Sequence, residues 1–110
     1  MIQVSQLLKG ILEGCIMALL QKEENYGYMI VEKLMDMGFR DIHEATVYPI
    51  LSRLEKKKLL SSKKKPSSLG PPRKYYQLTD EGQVQLKLFV ENWQSTGRIV
   101  NSILESEELI

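Results

Sequence analysis

Residues 43–60, HEATVYPILSRLEKKKLL, constrain the fold more than any other part of the chain. Val47, Ile50, Leu51 and Leu54 recur at i, i+3, i+4 and i+7, the spacing that lines one stripe of an α-helix. At about 100° per residue, Ala45, Pro49, Ser52, Arg53 and Lys56 point away from that stripe, with Thr46 and Tyr48 on its shoulders. An ordinary solvated face would be filled with glutamate, lysine and alanine. This one offers a hydroxyl, a phenol, an arginine, a lysine and a helix breaker. Pro49 lies beyond the first turn, where it removes one backbone bond at a cost of about 3 kcal/mol. It faces outward, so it is either a tolerated kink or a bend that reshapes the exposed surface without opening the core.

The charges reinforce that face. Residues 53–74 carry nine basic side chains against the single acid Glu55, a net +8; the rest carries six basic and thirteen acidic residues, a net −7. Within an overall charge of +1, this separation concentrates a positive field on one part of the molecule. A short lysine run alone would read as a solvated face; joined to the helix above, it reads as a surface for a polyanion.

Around these two features the chain reads as helix, helix, helix, hairpin, long helix. Ser5 can cap a first helix running to about Lys22, whose apolar residues Leu7, Leu8, Ile11, Leu12, Cys15, Ile16, Leu19 and Leu20 cover roughly 220° of arc. One core needs about half of that, so the remainder calls for a second surface, expected from another subunit. Asn25 can cap a second helix, YGYMIVEKLMDM, which Gly38 ends in a left-handed conformation. His43 occupies the N-cap of the third helix, with Glu44 at its positive end. A strand from Leu59 to Lys65, a long turn PSSLGPP (66–72) and a strand RKYYQLT (73–79) predict a hairpin with a flexible basic tip. Thr79, followed by Asp80 and Glu81, starts a last helix over 80–105, about 39 Å long at 1.5 Å per residue. Along it Leu86, Trp93 and Val100 recur every seven residues, with Phe89/Val90 and Ile103/Leu104 between them, a seam interrupted at Thr96 and Gly97. A lone helix cannot bury that seam; a dimer can.

This order is that of a winged helix-turn-helix: mainly α with a small β-hairpin, the third helix being the recognition helix. The expected organisation is a DNA-binding domain over 1–79, with a wing over about 59–79, and a dimerisation helix and tail over 80–110. The stretch 7–20 is interrupted by Lys9 and Glu13 and is shorter than the ~20 residues of a membrane span. The single Cys15 excludes an internal disulfide and, with no secretory signal, sets the expectation of a reducing cytoplasm.

The segments LLKGILEGCIMALL, YGYMIVEKL, EATVYPILSRLEKKKLL and GPPRKYYQLTDEG, in this order and spacing, resemble the PadR-type transcriptional regulators, in particular the branch with one C-terminal helix. The resemblance implies a homodimeric winged-helix repressor that binds an inverted repeat near a promoter and is released by a ligand. It assigns recognition-helix contacts to Thr46, Tyr48 and Arg53, wing contacts to Arg73 and Lys74, and backbone contacts to Tyr26 and Tyr28. Trp93 resembles a tryptophan that some multidrug-sensing members place at the dimer centre.

Lys56, Lys63, Lys64 and Lys65, with Arg73 and Lys74, would neutralise phosphates and release counterions, which supplies affinity without choice of sequence. Arg53 is suited equally to a guanine edge and to a phosphate. Trp93 has two readings, a residue that fills the dimer seam or the wall of a cavity between subunits. In the second reading Leu8, Ile11, Cys15, Phe89 and Gly97 join it around a planar aromatic effector. The expected dimer contacts are Leu86, Val90, Trp93, Val100, Ile103 and Leu104. No spacing of His, Cys or carboxylates suits catalysis, a metal or a cofactor, so a non-enzyme is expected. Two alternatives stand beside the regulator: a DNA-organising protein without ligand response, and a winged-helix module whose basic hairpin docks an acidic protein.

Overall fold

The computed structural model describes residues 4–110, as α1 (Val4–Lys22), β1 (Asn25–Tyr26), α2 (Gly27–Asp36), α3 (Glu44–Lys56), β2 (Leu60–Ser67), β3 (Gly70–Leu78) and α4 (Asp80–Ser106). The stripe of α3 behaves as its spacing requires. Val47, Leu51 and Leu54 are fully buried and Ile50 nearly so, against Leu12, Ile16 and Leu20 of α1, Ile30 and Leu34 of α2, and Leu60 and Tyr76 of the sheet. Pro49 leaves α3 continuous and stays exposed on the outward side.

Helix ends are set by local chemistry. Gly38 (φ +122°) closes α2: its N–H donates to the Met35 carbonyl and that of Phe39 to Leu34, at 3.0 and 3.1 Å. The same motif closes α3, with Lys58 (φ +64°) in the glycine role and buried Leu59 donating to Leu54. Two expected caps differ. Ser5 lies inside α1, which already includes Val4. Asn25 does not cap α2; its Oδ1 accepts from the N–H of Tyr26, the N-cap residue, at 3.0 Å, while the pair forms β1.

The expected two-stranded hairpin is therefore a three-stranded antiparallel sheet in the order β1-β3-β2, with Tyr26 opposite Tyr75. The wing is also longer than its composition suggests. β2 runs through Pro66 and β3 contains Pro71 and Pro72, leaving Ser68 and Leu69 as the turn, with a register irregularity between Lys65 and Ser67. The strands lie at the outer end of a hairpin, where prolines lacking an N–H cost no interior ladder bond.

Thr79 caps α4 as expected: its Oγ1 accepts from the Gly82 N–H at 3.0 Å and donates to the Lys58 carbonyl at 2.7 Å. The first turns of α4 pack on α1, where Phe89 lies over Gly14 with no room for a methyl group. Leu86, expected on the dimer seam, is taken up by this core. Beyond Trp93 the helix leaves the domain, in a molecule 54 Å along its longest axis. Among the described residues no helix is long and apolar enough to cross a membrane.

Candidate nucleic-acid interface

Alternation along the wing sorts its basic residues into two faces. Lys64 and Lys74 are paired across the strands on the face that carries buried Leu60 and Tyr76, the core side. Lys63, Lys65, Arg73 and Tyr75 lie on the outer face. There the Arg73 guanidinium stands 4.4 Å from the Tyr26 ring, Lys65 Nζ stands 5.0 Å from the Tyr75 ring, and the two tyrosines meet edge to face at 5.2 Å. β1, absent from the sequence reading, is what brings Tyr26 into this cluster.

A cleft of about 320 Å³ separates the wing tip from the helices. Tyr26, Gly27 and Tyr48 form one wall, and Ser67, Leu69 and the segment from Gly70 to Lys74 the other. The Tyr48 ring is seated on Gly27, where a Cβ would come within 2.5 Å of it. Burial, then the charge of Glu44, raises the Tyr48 phenol above its ordinary value, so the group is a protonated donor at neutral pH. Tyr28, on the first turn of α2, is half exposed; its bond to Glu32 raises its phenol as well. Lys56 is exposed, and Thr46 is half-buried on the shoulder of the stripe.

Arg53 is placed differently from its helical position alone. Its Nη2 donates to Glu13 Oε2 of α1 at 2.6 Å, so the guanidinium turns back to the body of the domain. Lys74 Nζ binds Glu55 Oε1 at 2.9 Å. The Glu55 carboxyl is held below its ordinary range by Ser62 and then by Lys74, and Lys74 is raised in turn by Glu55. Glu24 pairs with Lys65, and with Lys63 at 3.9 Å. Sequence reading missed these three acids, because ion pairs between residues 19 to 41 apart leave no periodic trace.

Apart from the cleft, between α1 and α4, Leu8, Ile11, Cys15, Phe39, Phe89 and Trp93 line an apolar pocket of about 340 Å³. Five of the six expected effector-site residues are thus together; Gly97 lies one turn beyond the pocket. Phe39 was missed because it sits in the short connection between α2 and α3, where an aromatic residue carries no helical periodicity. Burial raises the Cys15 thiol above its ordinary value, so it is a neutral wall of this pocket and not a reactive thiolate.

Residues 16–88 match the model of the transcriptional regulator PadR-like family. A PadR-like regulator from Bacillus cereus is 47% identical, with a TM-score of 0.81 over 91% of this chain and 97% of that one. A PadR family regulator from Eggerthella lenta is 36% identical, with a TM-score of 0.83 over 93% of this chain and 88% of that one. An uncharacterized protein of Lysinibacillus sphaericus is 31% identical over 106 residues, 94% of this chain and 97% of its own. With the winged helix, the basic wing and the long last helix all in place, the chain belongs to the PadR-like family of DNA-binding transcriptional regulators.

Proposed function

We propose that the protein is a homodimeric, cytoplasmic repressor that binds an inverted-repeat operator and releases it when a planar aromatic ligand enters the pocket beside Trp93. One observation carries the reading. The basic cleft between Tyr48 and the wing and the apolar surface of α1 and α4 lie on different parts of one small domain. Val90, Trp93, Val100 and Ile103 expose about half of their surface along α4. A two-fold axis through this strip covers it with the same strip of a second copy and sets two recognition helices on one side of the pair. The domain over 1–79 then reads DNA, and the helix and tail over 80–110 fix the spacing of the two readers. Repression, rather than activation, follows from a domain with no evident activation surface.

The cations of the wing and of α3 supply affinity through phosphates, and the donors of α3 position the helix in the groove. A dimer that neutralises about four phosphates per subunit should show a log–log salt slope near −7. Binding is measured on a labelled fragment from upstream of the gene against a shuffled fragment, at two salt concentrations. A preference of about a hundredfold or more for the native fragment is the expected result. Equal, salt-sensitive binding to both fragments would favour the DNA-organising alternative, and absence of binding would make the wing a protein-docking surface.

Ligand release has its own readout. Trp93 is the only tryptophan of the chain, half exposed at the pocket mouth, so a planar aromatic ligand should quench its fluorescence and weaken operator binding over the same concentration range. A ligand that quenches without loosening DNA would separate occupancy of the pocket from control of the reader spacing.

A further inference from the structure

Four of the seven cations assigned to the DNA surface are already held by carboxylates of the same chain. Arg53 is bound by Glu13, Lys63 and Lys65 by Glu24, and Lys74 by Glu55. Each acid lies on an element other than the one that carries its cation: Glu13 on α1, Glu24 in the turn between α1 and β1, Glu55 on α3. Of the three, Glu24 is the one that holds two wing cations. From the turn before the edge strand β1 it reaches past Tyr75 of β3 to two lysines of the opposite edge strand β2. Its side chain is only 27% exposed, so the carboxylate is poorly placed to satisfy itself with water instead.

A phosphate approaching the outer face of the wing meets these lysines with Glu24 between them. It must displace the carboxylate or accept its repulsion across a distance shorter than the ~8 Å screening length of physiological salt. We propose that Glu24 is a built-in competitor of DNA phosphate, which holds Lys63 and Lys65 in the free protein and sets how tightly the wing grips any duplex. This rests on the DNA-binding reading above and adds an affinity-setting residue that touches no base. The competitor acts on the backbone contribution, which operator and non-operator DNA share, so it lowers affinity for both and leaves base readout unchanged. It keeps a dimer carrying many cations from being stored on non-specific sequence.

The test compares Glu24→Gln with Glu23→Gln in the full chain. Glu23 is the neighbouring acid and its removal changes net charge equally, but it pairs with Lys33 of α2 at 2.9 Å and holds no wing cation. Both variants are titrated with the native and the shuffled fragment over a range of salt, after their melting curves have been recorded. Glu24→Gln should tighten both duplexes by about three- to fivefold per subunit, the upper range for a surface pair. The salt slope should steepen by about 0.9 for each lysine released. Glu23→Gln should do markedly less. In a Lys63→Gln/Lys65→Gln background the advantage of Glu24→Gln over Glu23→Gln should vanish.

Equal effects of the two glutamines, or weaker binding by a Glu24→Gln protein that melts normally, would overturn the proposal; the second result would make Glu24 a strut that positions the wing. If Glu24→Gln melts early, the comparison moves to Glu24→Asp, whose shorter side chain keeps the charge but withdraws from β2. Tighter binding by that variant supports release of the lysines, and unchanged binding overturns it. If neither wild type nor any of these variants binds duplex DNA, the DNA-binding reading itself falls, and this inference with it.

Discussion

Replacing Val100 and Ile103 together by aspartate should turn the proposed dimer into monomers and abolish operator binding without unfolding the chain. Both residues lie on the part of α4 beyond the domain, 45% and 57% exposed, so the double change should leave the core and the helical circular dichroism intact. In a two-fold interface every residue counts twice. Four apolar side chains would be lost, each worth about 1.5 kcal/mol or more when buried, and four carboxylates would face one another. Association should weaken by about a thousandfold or more. Operator affinity falls with it, because two half-site readers on one rigid dimer bind as a unit and separate readers do not. Sedimentation and operator titration on the same sample give both readouts. A dimer that survives both charges would place the interface elsewhere on α1 or α4.

Gly82→Ala should lower stability by about 3 kcal/mol, the upper range for forcing a methyl into a packed site. In an exposed helix the same change stabilises by up to about 1 kcal/mol, so even the sign is diagnostic. Gly82 is in the first turn of α4, and a Cβ there would collide with the carbonyl oxygen of Leu59 and with the Leu78 side chain. That carbonyl cannot retreat. It accepts from the Thr79 N–H at 3.1 Å and belongs to the buried Leu59–Leu60 pair that closes α3 and opens β2. The alanine would therefore separate α4 from the junction of α3 with the wing. A thermal melt should show a midpoint lower by roughly 10–20 °C for a domain of this size; an unchanged or higher midpoint would mean that α4 docks less tightly than its capping contacts indicate.

Those contacts also mark where sequence reasoning succeeds. Thr79 followed by two acids, Gly38 after a run of helix formers, and the i, i+3, i+4, i+7 stripe of α3 are local patterns, and each has the predicted consequence. Where a residue had to choose between partners distant in sequence, local pattern misled. Asn25 has the chemistry of a cap, but pairing with Tyr76 on β3 draws it into a strand. Leu86 has the heptad spacing of a seam residue, but the first turns of α4 lie on α1 and bury it there. The proline-rich stretch 66–72 has turn composition, yet cross-strand pairing carries the hairpin through it to a two-residue turn.

The sequence by itself determined the order of the helices, the stripe that holds the recognition helix, the concentration of positive charge on the wing and the apolar excess of α1 and α4. All of these depend on periodicity and composition over short windows, which the geometry of one helix or strand converts directly into a face. Only the tertiary structure decided which of those charges are free. Glu13, Glu24 and Glu55 are ordinary acids in the sequence; they become partners of Arg53, of Lys63 and Lys65, and of Lys74 because the packing of α1 and α3 and the addition of β1 to the sheet bring them within ion-pair distance. A Coulomb interaction falls with distance in space and is indifferent to separation along the chain.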